Sequence, residues 1–190
     1  MTIIHLDVAN IALAQTDVIV NSANPSLRFG SGISYAIHKA AGRGLEEECL
    51  ELMQKMGIIE LPVGEVVITT SHNLSAKHVI HAVGPVYGKM DGKELELLRR
   101  VYIRSLEVAS EHAAKSIAFP PISTGIYGFP KDEAAKVAIC AVRDYVARNT
   151  DHFEEVYFLF ANEEHRELFA HHLERFGPEL VSSSHRLTLS

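Results

Sequence analysis

Short runs of β-type residues alternate with amphipathic stretches along nearly the whole chain, and this alternation constrains the fold most. Residues 3–6, 17–21, 65–70, 78–83, 116–119 and 156–160 carry Val, Ile, Phe and Tyr over ordinary strand lengths. Val18-Ile19-Val20 and Ile117-Ala118-Phe119 are apolar on both faces. Such strands belong in the middle of a sheet that helices cover on both sides. Between them, Leu95, Leu98, Tyr102, Leu106 and Ala109 recur at helical spacing. Ala134, Ala138, Ala141, Val142 and Tyr145 repeat the pattern after Pro130, with Asp132 and Glu133 suited to a first turn. Asn162 reads as the N-cap of a last helix running to Arg175, which Gly177-Pro178 stops. Shorter helices are expected over residues 33–41 and 45–56, separated by Gly42 and Gly44. The expected fold is α/β: a three-layer α/β/α domain over residues 1–177 with a mixed, mostly parallel central sheet. A loosely held tail, residues 178–190 with Ser182-Ser183-Ser184, is expected to follow.

Composition narrows the function classes. The chain has 190 residues, 47% hydrophobic and 22% charged, which excludes disorder over most of its length. Its longest apolar runs are six residues, against the roughly 20 that a membrane helix needs. The first seven residues lack a basic leader, so a cytoplasmic location is the expectation. Eighteen Lys and Arg against 24 Asp and Glu give a net charge of −6. No basic footprint for a nucleic-acid polymer is present. A small anionic ligand fits better, because backbone N–H groups hold phosphate without Lys or Arg.

Ligands of open α/β sheets bind beyond the carboxyl ends of the strands, and three clusters lie there. The first reads Asn21-Ser22-Ala23-Asn24, then Gly30-Ser31-Gly32-Ile33-Ser34 leading into a helix. A Gly-x-Gly before a helix matches widely, and a loop stitched by Asn side chains explains it as well. The second, Ser123-Thr124-Gly125-Ile126-Tyr127, is another backbone cradle, or a connection that happens to be rich in glycine and proline. Two cradles at two central strands together suggest a diphosphate with a sugar attached. The third is split between Asp7 and Val8 after the first strand and Phe160 at the end of the last. An acid there can accept from an exocyclic amine and an aromatic ring can stack on a base, whereas the bland readings are Asp7 as a cap and Phe160 as core.

The motifs Val18 through Asn24, Gly30-Ser31-Gly32-Ile33, Ala36-Ile37-His38-Lys39-Ala40-Ala41-Gly42, Gly64-Glu65-Val66, His78-Val79-Ile80-His81-Ala82-Val83-Gly84-Pro85 and Ser116 through Gly128 occur in order. The chain resembles the macrodomains, ADP-ribose-binding modules, and is most similar to the stand-alone macrodomains of bacteria and archaea. The resemblance covers residues 7–176. It implies an acid at Asp7 on the adenine amino group, with Val8 beside it, and an aromatic near Phe160 packing on the base. It implies ligand contacts at Asn21 and Asn24, the latter reaching the distal ribose. The backbones of residues 30–34 and 123–127 would hold the diphosphate and enclose the far sugar. The implied partners are ADP-ribose, its derivatives and mono-ADP-ribosylated proteins; no cofactor and no metal is implied.

The chain departs from the family at two places. The hydrolytic branch carries an Asp near the position of Ser34-Tyr35, whereas no carboxylate occurs from Asn21 to Leu45. A serine hydroxyl is far too weak a base to replace it at neutral pH. Ser31 also stands where the family has a glycine, which a negative φ would tolerate. Two functions follow. One is hydrolysis of an ADP-ribose linkage to protein or phosphate, with Asn24 orienting water and the bound phosphate as base. The other is non-catalytic reading of ADP-ribose. A different nucleotide hydrolase would need a Lys-bearing phosphate loop or metal carboxylates, and neither motif is present. His72, His78 and His81 do not make a metal set, since positions 78 and 81 of one strand face opposite ways. His81 reads as core and His38 as part of a solvated helix face. Cys49 and Cys140 read as small core residues.

Overall fold

The structure is a computed structural model and describes residues 2–150 and 152–180. Six strands form one sheet: β1 (Ile3–Val8), β2 (Val18–Ser22), β3 (Val66–Thr70), β4 (His78–Ala82), β5 (Ser116–Phe119) and β6 (Glu155–Phe160). Their order is β1-β6-β5-β2-β4-β3, and every neighbouring pair is parallel except β3 with β4. Around it lie α1 (Gly32–Ala41), α2 (Arg43–Met56), α3 (Glu94–Glu111), α4 (Lys131–Arg148) and α5 (Glu163–Phe176). This is the mixed, mostly parallel three-layer arrangement that the alternation implies.

The side-chain period of two in a strand divides the core. Val18 and Val20 of β2 join Leu98, Val101, Ala138 and Phe158 in the larger cluster, under α3 and α4. Ile19, between them, joins Ile37, Ala41 and Leu45 under α1 and α2. All three β2 residues are fully buried, which explains why this strand is apolar on both faces. Each such side chain contributes about 1.5–3 kcal/mol by leaving water.

Of the two glycines expected to separate α1 and α2, Gly42 alone does so. It sits at φ +85°, and its N–H donates to His38 O at 3.0 Å to close α1. Gly44 lies inside the first turn of α2, where an added Cβ would be 2.6 Å from the His72 ring. Asn162 caps α5 as expected: its side-chain oxygen accepts the His165 N–H at 3.0 Å. Past Gly177, a 3-10 turn (Pro178–Leu180) seats Leu180 in the larger core, so packing continues into the start of the expected tail. Ser182-Ser183-Ser184 lie outside the described residues. Among the described residues no helix is long and apolar enough to cross a membrane.

Candidate functional site

Carboxyl ends of parallel strands point the same way, so the loops after β2, β5 and β6 gather on one edge of the sheet. They enclose a cavity of about 530 Å³. Its walls are Ser22, Ala23, Asn24 and residues 30–34 from the β2 side, Pro121 and residues 123–127 from β5, and Ala161 and His165 from β6.

The β2 loop is held by its own amide. Asn24 Oδ1 accepts from Ser26 Oγ at 2.8 Å and from the Arg28 N–H at 3.3 Å, while Nδ2 donates to Arg28 O at 3.0 Å. A carboxamide has two donor hydrogens, so one N–H of Asn24 stays free of these bonds. Ser31 is extended (φ −108°), the negative φ that a serine tolerates in a glycine's place, and Gly32 takes φ +57° as α1 begins. No side chain caps α1. Its first-turn N–H groups therefore supply donors and the positive end of the helix dipole to the cavity wall. Ser34 is buried, and its Oγ has no hydrogen-bond partner. A Cβ at Gly30 would lie 3.2 Å from Ser34 Oγ and 3.4 Å from Asn24 Nδ2, so these three residues converge.

The β5 loop is tightly wound. Thr124 Oγ1 donates to Pro121 O at 2.8 Å, the Phe129 N–H to Ser123 O at 3.0 Å, and the Gly128 N–H to Gly125 O at 3.0 Å. Ser123 adopts φ +66°, an uncommon conformation for a residue with a side chain, and its buried Oγ also lacks a partner. Gly84, in the loop after β4, makes room for it: a Cβ there would sit 2.2 Å from Ser123 Oγ. The Tyr87 N–H donates to Tyr127 O at 2.9 Å and ties the same two loops together.

Among the described residues, the cavity wall contains no Asp, Glu, Lys or Arg, and its ionisable side chains are Tyr127 and His165. Burial favours the neutral form of both, raising the Tyr127 pKa and lowering that of His165. An anion here meets backbone dipoles rather than side-chain charge.

Eleven of the sequence-selected residues line this cavity: Asn24, Gly30, Ser31, Gly32, Ile33, Ser34, Ser123, Thr124, Gly125, Ile126 and Tyr127. The other four, Asp7, Val8, Asn21 and Phe160, are not among its wall residues. Asp7 and Val8 are exposed at the end of the edge strand β1, paired with Leu159 and Phe160. Phe160 is 1% exposed and packs against Phe169, with ring centroids 4.7 Å apart. Asn21 is buried under the α1–α2 layer, where its amide meets His81 Nδ1 at 3.2 Å. Thr69 Oγ1 meets the other ring nitrogen of His81 at 3.0 Å, and burial pushes the His81 pKa down to about 3. His81 is thus the core residue expected, whereas His38 is not on a solvated face. It is 2% exposed, its ring 5.7 Å from Phe29 and 6.0 Å from His81. Cys49 is buried, and its thiol pKa is pushed up to about 12 by burial and by nearby Glu48 and Glu46, so it is unreactive. Cys140 is half-buried.

Sequence reasoning missed His165 and Gly84. His165 follows the capping Asn162 and reads as one more polar helix residue. Only the partner loop shows why position 84 lacks a side chain.

The family model described as "Macro domain" matches residues 20–138. An O-acetyl-ADP-ribose deacetylase of Escherichia fergusonii is 43% identical over 176 residues, covering 93% of this chain and 98% of that protein. The Oceanobacillus iheyensis macrodomain, solved with ADP, superposes with a TM-score of 0.87 at 36% identity and covers 90% of each chain. The Trypanosoma brucei macrodomain in complex with ADP-ribose gives a TM-score of 0.78 at 28% identity, covering 88% of this chain and 67% of that one.

Proposed function

The chain belongs to the Macro domain family, and from that premise we propose that its cavity binds ADP-ribose, free or protein-linked, and hydrolyses an ADP-ribose derivative. The observation that carries this reading is the convergence of two uncharged backbone cradles, residues 30–34 and 123–127, on one cavity of about 530 Å³. Converging N–H donors suit a pyrophosphate, and a neutral wall accommodates the ligand's own charge without a competing carboxylate. Asn24, on the β2 side, is assigned to the distal ribose. Deacetylase activity in the Escherichia fergusonii relative supports a hydrolytic reading with an acyl ester as one substrate class.

The step runs through the ligand itself. The free N–H of Asn24 orients a water against the carbon of the scissile linkage. A phosphate oxygen of the bound ligand takes the water's proton as the new C–O bond forms. In deacetylation the water adds to the acyl carbon, the ribose oxygen leaves with the electron pair of the broken C–O bond and is protonated, and acetate is released. In release from a protein the water adds to the anomeric carbon, and the acceptor oxygen leaves with the electron pair of the broken bond. No side chain of the cavity wall replaces the phosphate as base, since its one imidazole belongs to the β6 side.

That same absence of a carboxylate favours a second reading, a non-catalytic ADP-ribose reader. Calorimetry with ADP-ribose, ADP and AMP tests binding. The expected order is ADP-ribose tightest and AMP weakest; equal affinities would defeat the distal-ribose assignment. Incubation with O-acetyl-ADP-ribose and with a mono-ADP-ribosylated acceptor separates the two functions. Turnover that falls in Asn24→Ala supports hydrolysis, and no turnover by the wild type supports the reader. Ser34→Asp adds a carboxylate to the wall near the place where the hydrolytic branch carries one and is expected to raise turnover about a hundredfold, within the range of general-base catalysis.

A further inference from the structure

The first cradle, residues 30–34, carries two glycines, Gly30 and Gly32, and the helix it opens has no side-chain cap at Ser31. Glycine loses more backbone freedom on ordering than any other residue, so a contact outside the segment has to set the angle at which the chain enters α1. Helices often fix that angle with a hydrophobic staple, an apolar residue before the cap packed on the fourth helical residue. The fourth residue of α1 is Tyr35. The position next to the cap is Gly30, where a Cβ would lie 3.2 Å from both Cβ and Oγ of Ser34, which leaves little room for a side chain. Phe29, one residue further out, takes the part instead. Its ring meets the Tyr35 ring edge to face, with centroids 5.1 Å apart, and the His38 ring with centroids 5.7 Å apart. Tyr35 and His38 are neighbours on one face of α1, and Phe29 closes on both. Lys39 Nζ lies over the Tyr35 ring, 5.6 Å from its centre, and adds a cation–π contact. Phe29 and Tyr35 are 46% and 45% exposed, and neither is a wall residue. What they join is the residue just before the cradle and the residue just after it.

We propose that Phe29 and Tyr35 are positioning residues: their rings clasp the two ends of the cradle and hold its N–H groups in shape before a ligand arrives. This rests on the ADP-ribose reading above and deepens it. A cradle ordered in advance leaves less ordering to be done at binding, and affinity rises by that difference. The rings act through residues 30–34 rather than on the ligand.

The test combines calorimetry on the full chain, with ADP-ribose and ADP, and backbone NMR order parameters. Phe29→Ala and Tyr35→Ala are each expected to weaken both ligands about fivefold, in the range of one lost aromatic pair. The double variant should also lose about fivefold rather than the product of about 25-fold, because the two rings act as a unit. Phe29→Tyr keeps the clasp and should bind within about twofold of wild type. In free Phe29→Ala, order parameters of residues 30–34 should fall below about 0.6 and return towards about 0.85 when ADP-ribose saturates the protein. The inference is overturned if Phe29→Ala binds as the wild type does, if the two single losses multiply in the double variant, or if residues 30–34 of free Phe29→Ala stay as ordered as in the wild type. A wild type that binds neither ligand removes the ADP-ribose reading, and the order parameters of the free protein then decide on the clasp by themselves. Tight wild-type binding with an indifferent Phe29 removes this inference alone.

Discussion

The two ends of the central strands are built on opposite plans. At the amino end, one carboxylate satisfies several donors. Asp17 Oδ2 accepts the Lys115 N–H at 2.7 Å and the Ser116 N–H at 3.1 Å, while Oδ1 pairs with Lys77 Nζ at 2.7 Å. The Asp17 N–H in turn donates to Ser116 Oγ at 2.8 Å. At the carboxyl end, Ser34 Oγ, Ser123 Oγ and His165 Nε2 are buried without partners, and Ser123 takes a left-handed φ. Buried polar groups are normally paired. The amino end thus fastens the sheet, whereas the carboxyl end keeps bonding capacity open at a cost in stability. Other buried polar atoms without partners among the described residues, at Asn21, His38 and His172, lie outside the cavity wall, so it is the three at Ser34, Ser123 and His165 that belong to the expected ligand site.

The comparison breaks if substitutions at the two ends act alike. The largest effect is expected from Asp17→Ala, which strands backbone donors. Unfolding in urea should show a loss of about 2–3 kcal/mol, in the range for hydrogen bonds to a charged group, with ADP-ribose affinity unchanged. Asn24→Ala should leave stability within about 1 kcal/mol and cut ADP-ribose affinity about tenfold, equivalent to about 1.4 kcal/mol. Titration against ADP checks that the loss is specific to the distal ribose. Ser123→Gly is the sharpest contrast. It relieves a positive φ and removes an unpaired hydroxyl, so thermal unfolding should show a gain of about 0.5–1 kcal/mol while ligand affinity falls.

Acid provides the smallest, graded test. Burial raises the Asp17 pKa, but the Lys77 bond, the Lys115 and Ser116 N–H groups and the Lys77 charge outweigh it, and the pKa falls below its ordinary value. A carboxylate depressed on folding contributes stability that is complete above its unfolded pKa of about 4 and is lost as pH falls through the folded value. The wild type should therefore lose stability on acidification below pH ~4. Asp17→Asn should lose less over the same interval, as equilibrium unfolding at a series of pH values would show.

The sheet was legible in the sequence because central strands such as Val18-Ile19-Val20 have no polar face, and β2 and β5 are so placed. The two glycine loops were legible for a related reason: small residues at the end of a buried strand are expected where backbone meets ligand. Phe160 was harder to place. Every residue from Val156 to Phe160 is apolar, so the composition of β6 does not say which parity faces the helices. The structure puts Phe160 on the face of Phe158, in the larger core, with Leu159 on the other. His38 misled for the opposite reason: a lone histidine among Lys39 and Ala36 suggests an outward face, yet helix phase buries it beside Ile37. His165 and Gly84 depend on contacts between distant segments, which no local pattern carries.

Gly84 has one more consequence. A methyl at that position would meet both Ser123 Oγ, at 2.2 Å, and Ile122 Cγ2, at 2.6 Å. The two loops mesh like gear teeth, and neither is free to change shape by itself. A lineage that enlarged residue 84 would first have to make space at positions 122 and 123. Substrate preference on the β5 side would therefore drift through paired substitutions rather than single ones.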